Sequence, residues 1–134
     1  MNAPDAEAPV TVLLVDDQER FRAVARTVIE RTPGFTLVGE AEDGLDAVTL
    51  HASLRPSLVL MDIHMPNLDG IDATRQILSE QPDAVVFLLS SYDRSDLPAG
   101  ALESGALAYL HKEELASGTL ADLWRNRRGS LGTQ

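Results

Sequence analysis

The chain has 134 residues, of which 11 are basic and 21 acidic, for a net charge of −10; 44% are hydrophobic and 24% charged. This is the composition of one ordinary globular domain, and its acidity argues against direct binding of nucleic acid or of an anionic membrane. With no cysteine, disulfides, thiol chemistry and Cys-based zinc sites are excluded, and the longest apolar run, 84–89, is too short to span a bilayer.

Residues 1–9, MNAPDAEAP, are small, polar and acidic. They lack the basic start and apolar stretch of a signal peptide, so a flexible arm and a cytoplasmic location are expected. The apolar run 10–15 reads as a buried strand, and it ends in Asp16-Asp17. Phe21, Val24, Ala25 and Val28 then recur at helical spacing, until Thr32-Pro33-Gly34 stops the helix. A second strand, 35–41, runs into Glu40, Glu42 and Asp43; these acids are expected to be solvated or helix-capping. The next helix opens at Asp43-Gly44, carries Leu45, Val48 and Ala52, and stops before Pro56. His51 is expected on its surface.

A third strand, 58–61, delivers Asp62 to its end. A loop with Met65-Pro66 leads to Asp69-Gly70 and a helix carrying Ile71, Thr74, Ile77 and Leu78, which ends before Pro82. The fourth strand, 84–89, ends in Ser90-Ser91. A short helix is expected from about 98 to 103, with Gly105 just past its end. Pro98, Gly100 and a length of about seven residues make it intrinsically weak, hence a mobile element or else a plain loop. The fifth strand, 106–110, is followed by His111-Lys112. A last helix carries Leu120, Leu123 and Trp124, and 127–134 reads as a tail or linker stub after a domain spanning 10–126.

Strands this uniformly apolar belong to a parallel sheet buried on both faces. The order predicts a flavodoxin-like (βα)5, doubly wound, five-stranded parallel sheet of order 2-1-3-4-5 with helices on both faces. Function in such sheets gathers at the carboxyl ends of the strands. There, Asp16, Asp17, Asp62, Ser90 and Lys112 would converge. Carboxylates ~5 Å apart repel by about 3 kcal/mol at an effective dielectric near 20, which a hard divalent cation with oxygen ligands relieves. An aspartate beside such a cation, an ammonium and a hydroxyl is suited to attack a phosphoryl group.

The stretches VLLVDDQ, LVLMDIHMPNLDG, FLLSS and AYLHK, in this order and each at a strand end, resemble the receiver domain of bacterial two-component response regulators. The resemblance implies that Asp62 is the phosphoacceptor. Asp17, Asp62 and the backbone carbonyl of His64 would hold Mg²⁺ (Mn²⁺ could replace it), with Asp16 acting through a water. Ser90 would be the switch hydroxyl, Lys112 would pair with the phosphoryl group, and Tyr109 would be the aromatic switch. The phosphoryl donor would be a sensor histidine kinase or a histidine phosphotransfer protein. The output face would include Arg94, Glu103, Tyr109 and Glu113, its partner unspecified, with homodimerisation on phosphorylation open. His64 and Tyr92 would flank the phosphoryl group and, being bulky, slow its hydrolysis. Glu113 stands where many receivers have proline, so a trans bond is expected after Lys112.

The stretch PGFTLVGEAEDGLDAV looks most like receivers that precede a helix-turn-helix domain, so a stand-alone receiver and a piece of a longer regulator both remain open. Two rivals are a non-phosphorylated receiver-like interaction module and an aspartyl-nucleophile phosphatase of the haloacid-dehalogenase type. The phosphatase wants a second aspartate two residues past the nucleophile, where His64 stands. The three histidines lack zinc-ligand spacing.

Overall fold

The computed structural model describes residues 9–91 and 97–132, with 128–132 as backbone only. The expected arm at 1–9 therefore lies almost wholly outside the described residues, as do the roles expected for Tyr92 and Arg94. Five parallel strands form one sheet: β1 (Val10–Val15), β2 (Phe35–Ala41), β3 (Leu58–Asp62), β4 (Val86–Ser90) and β5 (Ala108–His111). Their order is β2-β1-β3-β4-β5, as the sequence predicts. Four helices connect or follow them: α1 (Glu19–Arg31), α2 (Gly44–Leu54), α3 (Gly70–Glu80) and α4 (Ser117–Gly132).

Alternation along β1 explains both layers. Val12 and Leu14 join Ala25 and Ile29 of α1 and Leu120 of α4 in one apolar cluster. Leu13 and Val15 join Ala47 of α2 and Ile71, Ala73 and Ile77 of α3 in the other. β3 and β4 are buried along their whole length, which is why the central sequence reads as unbroken apolar runs. Among the described residues no helix is long and apolar enough to cross a membrane.

Helix boundaries follow local chemistry. Thr32 ends α1: its hydroxyl donates to the Val28 carbonyl at 2.7 Å, and Gly34 then turns the chain at φ +84°. Asp43 and Asp69 each accept from the backbone N–H three residues on, at 2.8 Å, capping α2 and α3.

Several expectations are corrected. No α-helix occupies 98–103; Ala101 N–H to Pro98 and Ser104 N–H to Ala101 form two successive i+3 turns, both at 3.2 Å. Gly100 at φ +90° is outside helical backbone, and so short a segment cannot recover the cost of helix nucleation. Within the expected tail or linker stub at 127–134, α4 runs on through Gly132, and 133–134 lie outside the described residues. Gly129 lies inside that continuation without ending it, and the Arg127 guanidinium stacks 3.5 Å from the Trp124 ring centroid. The inward stripe of α2 is Gly44, Ala47 and His51, one position off the stripe read from Leu45, Val48 and Ala52, so His51 is buried and Leu45 exposed. On α1, Val24 points outward while Arg22 is buried. β4 and β5 each start two residues later than their apolar runs, after the turns at Gln81–Ala84 and Gly105. The bond after Lys112 is trans, as are all described peptide bonds.

Candidate functional site

The register of the sheet sets the site. Val15 pairs with Met61, so the next residues along, Asp16 and Asp62, stand side by side where β1 and β3 end. Asp62 pairs with Leu89 on β4, and Ser90 with His111 on β5. Ser90 is therefore buried at the same edge, and Lys112 follows at once.

One carboxylate oxygen from each of Asp16, Asp17 and Asp62 lies within 4.8 Å of the others. Asp16 and Asp62 are buried and Asp17 is exposed. The Lys112 ammonium enters between them, 2.7 Å from Asp16 Oδ2 and 3.5 Å from Asp62 Oδ2. Burial, together with the Asp16 charge, pushes the Asp62 carboxyl up to about 7 despite the opposing lysine.

The loop after β3 is shaped by glycine and proline. Gly70 donates to the Ile63 carbonyl at 2.8 Å, and a Cβ at 70 would fall 2.0 Å from the Asp62 carbonyl oxygen. Only glycine lets α3 start this close to the acceptor. Asn67 adopts φ +71° after Pro66, and its amide donates to Asp43 Oδ2 at 2.7 Å, tying this loop to the start of α2. His64 is exposed in the same loop.

The donor set fits a hard divalent cation. Three carboxylates from two strand ends offer oxygen ligands without any nitrogen or sulfur, the preference of Mg²⁺. Asp16 Oδ2 is buried, and although Lys112 is close no well-angled hydrogen bond reaches it. Burial first, and then the neighbouring Asp16 charge, raise the Asp62 carboxyl more than the lysine lowers it.

Tyr109, partly buried on β5, donates its hydroxyl to the Ala101 carbonyl at 3.1 Å, in the turns that replace the expected helix. Glu103 and Glu113 are exposed.

Four residues near the site carry contacts that the sequence reading did not assign. Gln18 Oε1 accepts from Lys112 at 3.5 Å, and the Phe21 ring lies 4.7 Å beneath the same ammonium. Arg22 donates to the Asp16 carbonyl at 2.7 Å and to Glu40 at 3.2 Å. Glu40, expected to be solvated or capping, is paired with Arg26 at 2.8 and 3.0 Å as well, and these hydrogen bonds hold its carboxyl below the usual range. Of the acids at the end of β2, only Asp43 caps a helix as expected. An arginine five residues past an acid pair, facing an edge strand whose end is flanked by glutamates, is the signal that would have found this cluster.

A family model described as response regulator receiver domain matches residues 12–122. A protein-glutamate methylesterase/protein-glutamine glutaminase of Myxococcus xanthus is 43% identical over 105 residues, 78% of this chain and 30% of that protein. The transcriptional regulatory protein LiaR of Bacillus subtilis is 39% identical over 108 residues, 81% of this chain and 51% of that protein. The chain thus spans 30% of the first relative's length and 51% of the second's. A crystal structure of a LuxR-family two-component response regulator from Aurantimonas superposes with a TM-score of 0.81 at 30% identity, covering 91% of this chain and 87% of that one.

Proposed function

The chain belongs to the response regulator receiver domain family, and on that premise we propose that Asp62 accepts a phosphoryl group and so switches the β5 side of the domain toward a partner. The donor is a phosphohistidine on a sensor histidine kinase or histidine phosphotransfer protein. An Asp62 oxygen attacks phosphorus, the P–N bond breaks, and its electron pair leaves on the imidazole, which takes up a proton. The observation that carries this reading is the Lys112 ammonium set between Asp16 and Asp62, 2.7 and 3.5 Å away. An oxygen added to Asp62 falls within that ammonium's reach.

Asp17, Asp62 and the His64 carbonyl would hold Mg²⁺ or Mn²⁺, with Asp16 acting through a water. When bound, the ion offsets charge on the transferring phosphoryl oxygens. Lys112 pairs with one of those oxygens, and the Ser90 hydroxyl, buried at the end of β4, donates to another. Moving Ser90 toward the phosphoryl group opens space that Tyr109 takes up, giving up its bond to Ala101. Phosphorylation adds roughly −1.5 to −2 charge, and moving a population from 1:99 to 99:1 needs about 5.5 kcal/mol of differential contact.

The domain's own catalysis is limited to this transfer and a slow self-dephosphorylation, in the cytoplasm. Its relatives' names, a transcriptional regulator and a methylesterase, belong to proteins two to three times its matched length. We therefore assign the output to a partner or a further domain.

Incubation with Mg²⁺ and acetyl phosphate or phosphoramidate, followed by intact mass, tests the reading. One labile phosphoryl adduct is expected, absent in Asp62→Asn and in chelator. No adduct in the unaltered chain would point to a passive interaction module, and turnover of free substrate to a phosphatase.

A further inference from the structure

Asp17 is the exposed member of the acid cluster, yet its carboxylate must stand beside two buried ones. Its backbone carries that burden. The Asp16 N–H is held by the Ala41 carbonyl at 3.1 Å. Asp16 Oδ1 takes the Gln18 N–H at 2.8 Å, fixing the peptide that follows Asp17. The peptide that precedes Asp17 is fixed through its carbonyl, the Asp16 oxygen, and there the donor is Arg22 Nη1 at 2.7 Å in a fully buried bond.

Arg22 is an unusual residue for this place. Its side chain is only 8% exposed, and burying a guanidinium is costly unless it is paired on every side. It is so paired: Nε to Glu40 at 3.2 Å, Nη2 to Glu19, and Glu42 at 3.8 Å. Glu40 is clamped in turn by Arg26. The chain Arg26–Glu40–Arg22 thus runs from the surface of α1, across the end of β2, to the peptide that carries Asp17.

We propose that Arg22, braced by Glu40, is a positioning residue for the cation site: it holds the Asp16–Asp17 peptide so that Asp17 can ligate Mg²⁺ together with Asp62. This rests on the cation-binding reading above. Partners of this kind, one bond removed from the ligands, typically govern metal affinity by 10–100-fold.

The test is the Mg²⁺ midpoint, the free Mg²⁺ concentration equal to Kd, fitted from the logarithmic rise of stability with Mg²⁺ at constant ionic strength. Ligand-linked stabilisation follows the ratio of free ion to Kd, so a purely structural loss lowers Tm and leaves this midpoint in place. Arg22→Met keeps the packing volume and leaves Glu40 paired with Arg26. Its midpoint is expected to rise at least 10-fold, and an unchanged midpoint overturns the proposal. Should that variant not fold, Glu40→Gln removes the charge that braces Arg22, together with its pairing to Arg26, and Arg26→Met controls for the latter. A two- to five-fold rise is then expected, and no rise overturns it. Arg26→Met touches nothing at Asp16 and should move the midpoint less than two-fold; a shift as large as that of Arg22→Met would reassign the effect to general loosening and overturn the proposal. Absence of any Mg²⁺-dependent rise in the unaltered protein refutes the cation reading itself, and the positioning role falls with it.

Discussion

Around the acids at the ends of β1 and β3, backbone groups are held from several sides. Asp16 N–H goes to Ala41, Ile63 N–H to Leu89 and Gly70 N–H to Ile63, at 2.8–3.1 Å, between fully buried Val15, Met61 and Ile63. Between β4 and β5 the described residues, 97–107, are held differently. Two 3.2 Å turns follow one another, Gly100 and Gly105 sit at φ +90° and +99°, and Leu102 is 68% exposed. The first region combines sheet ladder, core and loop contacts, so its atoms keep their geometry. The second rests on short turns anchored by buried Ala101 and Ser104, with no sheet ladder along most of its length. A switch needs both: a fixed place where charge is added, and a nearby segment with two arrangements of similar free energy.

The comparison breaks most severely at Gly70. A methyl group there would lie 2.0 Å from the Asp62 carbonyl oxygen and 2.9 Å from its carbon, both backbone atoms that cannot yield alone. Gly70→Ala is expected to lose more than ~3 kcal/mol in urea unfolding, or to leave the protein unfolded. A loss under 1 kcal/mol would mean that the β3–α3 junction is as pliant as the β4–β5 segment.

Asp62 gives the next largest effect. Its carboxyl stands at about 7 in the folded protein against an ordinary 3.8. Between those values the folded state holds a proton that the unfolded state has released. In chelator, stability should therefore fall as pH rises from about 4 to about 7, and stay lower above. The loss is about 2 kcal/mol, the ~4 kcal/mol implied by such a shift halved for solvent at the mouth of the site. Asp62→Asn should remove the slope and be more stable than the unaltered chain at pH 8. Parallel pH–stability curves for the two proteins would show that the acids do not share a site.

Gly100 sharpens the contrast from the other side. A methyl group there would meet Arg75 Nη2 at 2.8 Å, the far end of a flexible side chain, so the cost is mainly the positive φ. Gly100→Ala is expected to lose about 1 kcal/mol, several-fold less than Gly70→Ala in the same denaturant series.

The rigid region was also the legible one. β1 and β2 match their apolar runs to the residue, and Asp62 closes β3, because there local pattern and burial agree. Residues whose role depends on a distant partner were not legible. Phe21 looks like core until Lys112 is brought over its ring, 94 residues after Gln18 in the chain. Arg22 looks like a solvated helix residue until β2 delivers Glu40. His51 was assigned to the surface because α2 is apolar on more than one side, and a stripe one position over fits the spacing as well. Its burial pushes the imidazole down, a fact of tertiary packing alone. Residues 98–103 failed for a different reason: Gly100 at φ +90° interrupts a stretch already too short to nucleate a helix.

Tyr109 offers the smallest effect and the most specific one. Its hydroxyl donates to the Ala101 carbonyl at 3.1 Å, joining β5 to the first of the turns. Ala101 itself is fully buried, and its carbonyl also accepts from the Ser104 N–H at 3.2 Å and the Ser104 hydroxyl at 2.7 Å, so losing the tyrosine bond does not orphan it. Tyr109→Phe keeps the ring and its packing and removes the bond, at a cost of roughly 0.5–1 kcal/mol. If the two regions are as separable as their hydrogen bonding indicates, this loss should appear as faster amide exchange at Ala101 and Ser104. Exchange at Leu60 and Met61, and the Mg²⁺ midpoint, should stay where they are. Faster exchange spread equally over β3 would mean that one cooperative unit covers the whole sheet edge, and the division between an anchored site and a movable segment would be lost.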